Sequence, residues 1–230
     1  LSSEDAAELI LRAVDASRIA AEGKNLALEA SMTASSGTRA IVNSLGISNS
    51  AESTSIWLYC FPTVKDDGDQ NSSFEYQVGR SLDGFDPENV GQSATKNALR
   101  NLGGQTIEGG DLPVVFAPLA VGTLLGNGFA GAVNAEEVQY GRSYISDAFG
   151  SEIASEELTI TDTGILDGGT GSRIFDAEGF PSQVTSLLEK GILRSLLHNS
   201  YTANKDGVES TGNASRPSYS GLPSISTSNF

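Results

Sequence analysis

The 230-residue sequence predicts an α+β fold, in which a small N-terminal portion with a helix and an antiparallel sheet precedes a β-rich C-terminal domain. Residues 2–22 have apolar side chains at helical spacing, and a second helix is expected at 86–102, before Gly103-Gly104. Most of the remainder alternates or is rich in Gly, Ser and Thr. We expect a barrel- or sandwich-like arrangement of the C-terminal strands around a groove. The predicted domains are residues 1–84 and 85–230.

The N-terminal portion begins with a helix that Ser2 or Ser3 is placed to cap and that Gly23 ends. The spacing of apolar residues then changes to two, which is typical of half-buried strands. The sequence STSIWLYCFPTV is the clearest of these strands. The strands predicted for this antiparallel meander are 26–32, 38–45, 53–64 and 73–78.

The C-terminal domain opens with a helix for which Asp86 is the expected cap and Pro87 the first residue. The sequence LPVVFA at 112–117 predicts a short strand, and a short helix is expected at 119–125. Lys190-Gly191 is a typical hairpin turn. The strands predicted after the short helix are 158–162, 184–189 and 192–197.

Composition excludes several classes of protein. A net charge of −15 disfavours direct binding to nucleic acid. No run of 18 or more apolar residues is present, so no membrane span is predicted. The single cysteine, Cys60, fits a reducing compartment, and we expect a cytoplasmic protein. Because the chain begins at Leu1 and stops abruptly, we also expect it to be a fragment of a longer protein.

Gly126, Gly128 and Gly131 have the G-x-G-x-x-G spacing of dinucleotide-binding loops. Such a loop follows a strand directly and opens a helix, whereas these glycines follow a predicted helix. The sequence therefore predicts a flexible turn with close backbone packing rather than a nucleotide site.

Two other constellations are weighed as reactive sites. Cys60 and His198 have the chemistry of a nucleophile and a base, but Cys60 lies in an apolar strand and is expected to be a buried hydrophobe. An acidic cluster offers oxygen ligands for a cation, or a carboxylate pair for acid–base catalysis, although Asp and Gly together are typical of turns. The cluster comprises Asp162, Asp167, Asp176 and Glu178.

The stretch 158–229 resembles the TldD/PmbA family, once called modulators of DNA gyrase. It contains a D-x-E-G-x-P turn, a hairpin, a Tyr-x-Ala segment and a TGN-x-x-R loop in the family's order. The residues that carry these motifs are Asp176, Glu178, Gly179, Pro181, Gly191, Leu193, Tyr201, Ala203, Thr211, Gly212, Asn213 and Arg216. With PVVFAP and GRSYISDAFGSEIAS upstream, the resemblance covers most of the chain.

The resemblance implies a paired assembly. TldD-type subunits are zinc metalloproteases with an H-E-x-x-x-H motif, and PmbA-type subunits, also called TldE, lack that motif and bind the protease subunit. The pair processes or degrades unfolded peptides. Here Gly126 and Gly131 stand at the two histidine positions and Asn127 stands at the glutamate position. Glycine offers zinc no ligand and an amide is no general base, so the chain resembles the PmbA side.

We therefore expect a non-catalytic subunit with no catalytic or metal-binding residue and no cofactor of its own. Its expected partners are a zinc-containing TldD-type subunit, or a second copy of the chain, and a peptide. A stand-alone peptidase and a regulatory protein-binding module remain alternatives. The candidate contacts to peptide are Asp176, Glu178, Gly179, Thr211, Gly212, Asn213 and Arg216.

Overall fold

A helical layer on one face of an antiparallel sheet forms the first part of the chain, and smaller sheets with short helices form the rest. The computed structural model describes all residues from Leu1 to Phe230 and confirms the α+β class. The helices are α1 (Ser3–Ala20), α2 (Pro87–Arg100), α3 (Pro118–Leu124), a π-helical turn (Leu125–Phe129), α4 (Ala130–Ala132), α5 (Ala135–Gln139) and α6 (Ser200–Asp206). The strands are β1 (Asn25–Val42), β2 (Ser48–Asp66), β3 (Asp69–Ser72), β4 (Glu75–Gly79), β5 (Ile160–Thr163), β6 (Val184–Glu189), β7 (Ile192–Leu193), β8 (Ala214–Ser215) and β9 (Ser224–Ile225).

By its internal contacts the chain divides into two compact units, each formed by two segments. The first unit consists of Leu1–Gly37 and Glu52–Asp111, and the second of Thr38–Ala51 and Leu112–Phe230. The predicted boundary at 84/85 stays a prediction. No helix in the chain is both long enough and apolar enough to cross a lipid bilayer.

In the first unit, β2 is the central strand and pairs with β1, β3 and β4. Leu58 and Cys60 of β2 are fully buried under α1 and α2. The two helices cross closely because Gly91 has no side chain: a Cβ there would lie 2.0 Å from the carbonyl oxygen of Ala13. Both predicted caps are confirmed, since Ser2 forms a capping box with Asp5 and the carboxylate of Asp86 accepts from the Asn89 N–H.

In the second unit, β5, β6 and β7 form a three-stranded antiparallel sheet, and β8 pairs with β9. The turn at Lys190-Gly191 joins β6 to β7 as predicted, with both residues at positive φ. The apolar core of this unit lies between the sheet and the helical segment around residue 130. Its buried members are Phe129, Ala132, Val133, Ala135, Ile145, Ile160, Leu187, Leu188, Leu193, Leu196, Leu197 and Ile225.

Three local predictions are wrong. The two strands predicted at 26–32 and 38–45 are one continuous strand, β1. Residues 112–117 form no strand, because no partner strand pairs with this apolar sequence, and Val115 is 99% exposed. Residues 126–131 are helical rather than a flexible turn, and nothing packs against the Cβ positions of their glycines.

Candidate functional site

The D-x-E-G-x-P turn is built around the carboxylate of Asp176, which is fully buried. One carboxylate oxygen accepts from the N–H groups of Glu178 and Phe180 at 2.9 and 3.0 Å, and the other accepts from the N–H of Ala214 at 3.0 Å. Because buried carboxylates need such donors, Asp176 fixes both the turn and its position beside β8. Its side chain is thereby used within the fold.

Arg39 supports the same turn from β1. Its guanidinium donates to the carbonyls of Phe175 and Asp176 at 2.5 and 2.8 Å and lies 5.1 Å from the centre of the Phe175 ring. Gly179, at φ +89°, is in close contact with Ile47, since a Cβ there would lie 2.7 Å from the Ile47 Cγ2 atom. Arg39 of β1 and Ile47 of the β1–β2 connection therefore hold the turn in place, which spacing along the sequence does not reveal.

Glu178 joins the turn to helix α6. Its two carboxylate oxygens accept from the backbone N–H and the hydroxyl of Ser200, at 2.8 and 2.7 Å. This adds a second acceptor to the helix start, where Asn199 and Thr202 already form a capping box. Glu178 is thus engaged with the first turn of α6.

The TGN loop is held from three directions. The Thr211 hydroxyl accepts from the His198 N–H at 2.8 Å. Gly212 has φ +71°, and a Cβ there would lie 2.4 Å from the carbonyl oxygen of Pro181, so no larger residue fits without a shift. The Asn213 amide donates to the buried carboxylate of Asp162 at 2.8 Å. These contacts bring the loop and the D-x-E-G-x-P turn together.

Ser228 completes the Asp162 site at the end of the chain. Its N–H and hydroxyl donate to the two oxygens of Asp162 at 2.6 and 2.8 Å. Asp162 is therefore surrounded by neutral donors. No group of three or more His, Cys, Asp or Glu side chains in the chain is arranged to hold a metal ion. The acidic residues Asp162, Asp167, Asp176 and Glu178 are therefore not gathered into such a group.

Of the seven candidate residues, six lie in the hydrogen-bonded network formed by the D-x-E-G-x-P turn and the TGN loop, and one lies apart from it. Arg216 follows β8, is exposed, and makes no hydrogen bond or ion pair. The side chain of Arg216 is therefore available to a ligand, while those of Asp176 and Asn213 are committed to the fold. A peptide-contact role for the seven residues stays a prediction.

A cleft of about 500 Å³ lies beside the network, between the turn, α6 and the loop that follows α6. Its apolar walls are Phe180, Pro181, Ala203 and Val208. Its polar lining consists of Gln183, Ser200, Asn204, Glu209 and Ser210. Its volume is within the range of small-ligand and side-chain pockets, roughly 300–1,000 Å³. Sequence reasoning did not reveal this cleft.

Arg173 is a second residue that the sequence did not reveal. Its Nε and Nη2 atoms are buried and have no hydrogen-bond partner. Burial lowers the pKa of its guanidinium, and the nearby charge of Asp176 opposes that shift. Arg173 forms no direct ion pair, so the charge of Asp176 acts on it through space.

The segment at the position of the H-E-x-x-x-H motif, residues 126–131, is helical and includes a π-helical turn. The N–H of Ala130 donates to the carbonyl of Leu125, which is the i→i+5 bond of a π-helix. Phe129 faces the core, whereas Gly126, Asn127 and Gly131 are exposed. Neither φ nor crowding requires glycine at 126 or 131. The backbone leaves room for side chains at both positions, but the side chains present do not fit zinc.

The remaining reactive groups are buried. Cys60 of β2 is fully buried, as the sequence predicts, and burial raises the pKa of its thiol to about 11. His198 is 6% exposed, and burial lowers the pKa of its imidazole. Its Nδ1 atom lies 3.3 Å from the hydroxyl of Thr202. His198 thus serves the packing of α6 against the TGN loop.

Comparison with known families matches both parts of the chain. Residues 1–102 match the PmbA/TldA metallopeptidase central domain, and residues 109–230 match the PmbA/TldA metallopeptidase C-terminal domain. The chain therefore belongs to the PmbA/TldD metallopeptidase family, as the motif order predicts.

Relatives with both family names are similar to this chain. Metalloprotease PmbA of Escherichia coli O157:H7 is 29% identical over 93% of this chain and 48% of its own length. An uncharacterized protein of Methanocaldococcus jannaschii is 32% identical over 92% of this chain and 49% of its own length. A TldD homologue from Haemophilus influenzae is 35% identical over 57% of this chain and 27% of its own length. The chain spans about half the length, or less, of these relatives.

Solved structures agree on the fold. A protein of Thermotoga maritima described as a modulator of DNA gyrase has a TM-score of 0.88 at 26% identity, covering 99% of this chain and 51% of that one. TldE from Thermococcus kodakarensis has a TM-score of 0.81 at 22% identity, covering 96% of this chain and 51% of that one. The second likeness concerns the fold alone.

Proposed function

We propose that the chain is part of a non-catalytic, PmbA/TldE-like subunit of a TldD-type zinc metalloprotease complex that processes or degrades unfolded peptides. The observation that carries this proposal is the exposed helix face formed by Gly126, Asn127 and Gly131. Zinc sites take imidazole, thiolate or carboxylate ligands, and these three residues supply none. The only histidine, His198, is buried and engaged elsewhere.

The relatives support the same side of the pair. Relatives named PmbA match 74–93% of this chain, whereas those named TldD match 57%. We propose a cytoplasmic location, because the one thiol, Cys60, forms no disulfide.

In this function the subunit binds the protease subunit and helps to enclose the peptide. The zinc and the general base are supplied by the TldD-type partner, and a homodimer is the alternative assembly. On this chain, the rigid turn at 176–181 and the TGN loop supply fixed walls, and Arg216 supplies an exposed cation. Fixed walls favour peptide binding because little conformational entropy is lost.

Affinity purification of the tagged chain from its native cells tests the proposal. We expect it to retain a protein with an H-E-x-x-x-H motif, and we expect the pair to cleave an unfolded peptide in a chelator-sensitive reaction. Each protein assayed alone is the control. Purification without any such partner, or undiminished cleavage by this chain alone, would contradict the proposal.

A further inference from the structure

The cleft beside α6 has rigid walls. Asp176 fixes the turn that carries Phe180 and Pro181, and Glu178 fixes the start of α6. Across the cleft, the Gln183 side-chain amide donates to the Ser210 carbonyl at 3.1 Å. These bonds do not use the apolar surfaces of the walls, so the cleft is pre-formed and its apolar lining remains accessible.

The lining contains one ionisable group. Glu209 is exposed at the rim, and no Lys or Arg lines the cleft. The nearest basic residue on the helix, Lys205, is directed elsewhere, with its Nζ atom 5.5 Å from the centre of the Tyr140 ring. The one charge in the lining is therefore negative, which favours a cationic ligand.

We propose that the cleft binds an extended peptide at a large apolar side chain that is next to a Lys or Arg. The apolar side chain lies between Phe180, Pro181 and Val208, and the basic side chain lies near the carboxylate of Glu209. This inference rests on the proposed function and adds a sequence preference to it. The two contacts contribute differently: the apolar contact supplies most of the binding affinity, and the contact with Glu209 supplies the selectivity for a basic side chain.

Fluorescently labelled, end-blocked hexapeptides test the preference by titration with the 230-residue chain. The probes contain Phe-Lys, Phe-Gln or Ala-Lys between pairs of glycines. We expect the Phe-Lys peptide to bind about tenfold or more tightly than the Ala-Lys peptide. It is expected to bind about two- to fivefold more tightly than the Phe-Gln peptide at low salt. This second difference is expected to shrink at high salt.

Cleft variants with matched controls identify the site. Phe180→Ala removes a wall of the cleft, and Asn204→Trp fills it. Each is expected to weaken binding of the Phe-Lys peptide at least fivefold. Leu222→Ala, at a side chain that is 90% exposed, is the control for truncation. Glu209→Gln is expected to abolish the preference for Lys over Gln, and Glu157→Gln is its charge-matched control.

Cleft variants that fold and bind all three peptides as the wild-type chain does would overturn the inference, and so would a wild-type chain that binds none of them. The paired-subunit cleavage assay is run with the same variants. If every cleft variant supports chelator-sensitive cleavage with the same preference among the three peptides as the wild-type chain, this inference is wrong and the proposed function is unaffected. If the wild-type chain binds no TldD-type partner, the proposed function itself is wrong.

Discussion

The backbone N–H of Ala130 donates to the carbonyl of Leu125, five residues earlier, so the helix at this point contains a π-helical turn. Such a turn brings residues five apart onto one side of the helix, and Gly126 and Gly131 have this separation. The local backbone therefore suits the spacing of two metal ligands that the chain lacks. This combination is the basis of the proposal that the chain is part of a non-catalytic subunit.

The combined substitution Gly126→His, Asn127→Glu and Gly131→His tests that relationship. Because a Cβ at 126 or 131 meets no atom within 4 Å, we expect the variant to fold with an unchanged or higher free energy of unfolding. We also expect it to bind Zn²⁺ more tightly than the wild-type chain, as measured by competition with a chromogenic chelator. Alanine at all three positions is the control, and equal zinc affinity of variant and control would count against the geometry.

Asp176→Asn is expected to lower the free energy of unfolding by about 2–4 kcal/mol, measured in urea. The carboxylate accepts three backbone N–H bonds in a buried site, and an amide presents an NH₂ group to at least one of those donors. Asp167→Asn, in an exposed loop, is the control. Normal stability with lost peptide binding would mean that Asp176 contacts ligand rather than supporting the turn.

Gly212→Ala is expected to be more destabilising than Gly207→Ala, although both glycines have nearly the same positive φ of +71° and +69°. The left-handed conformation alone costs about 1–2 kcal/mol for a residue with a Cβ. At Gly212 the new methyl also meets the Pro181 carbonyl at 2.4 Å, whereas at Gly207 it meets nothing. Equal losses in urea unfolding would show that the loop is not held against the turn.

His198 is expected to make stability fall as the pH falls through its ordinary pKa. Burial lowers the pKa of the folded imidazole, and Asp206 opposes this only in part. Between the unfolded pKa of about 6.5 and the lower folded pKa, the unfolded chain binds the extra proton, so the loss occurs below about pH 6.5 and is absent above pH 7.5. His198→Gln is expected to show a smaller difference in unfolding free energy between pH 7.5 and 5.5. An unchanged difference would contradict the assignment.

Cys60 is expected to react with a thiol reagent at pH 8 only after unfolding. Its side chain is fully buried and its pKa is raised to about 11, so little accessible thiolate exists in the folded chain. The rate is measured in buffer and in denaturing urea, where free cysteine is the reference. Rapid reaction of the folded chain would show that β2 is accessible at this point.

Much of the fold follows from local chemistry in the sequence. The caps at Ser2 and Asp86 and the hairpin at Lys190-Gly191 depend on side chains within a few residues, and the sequence reports them directly. The strand predicted at 112–117 fails because its apolar residues are typical of a strand, while pairing depends on a neighbour that local sequence does not specify. The helix at 126–131 was missed because three glycines there indicate a turn.

The site divides in the same way. Its motif residues are visible as ordered short patterns, but the contacts that fix them span long separations. Arg39 reaches the carbonyls of Phe175 and Asp176 across more than 130 residues, and Ser228 reaches Asp162 across 66. The cleft and the buried guanidinium of Arg173 arise only when segments far apart in the sequence come together in the fold. A single sequence carries no pairing signal for such contacts.

The zinc content of the purified chain, measured together with its peptidase activity in the absence of any other protein, tests the central claim most directly. The account predicts substoichiometric zinc and no chelator-sensitive cleavage, because Gly126, Asn127 and Gly131 supply neither ligands nor a base. One zinc ion per chain with chelator-sensitive cleavage of an unfolded peptide would contradict it.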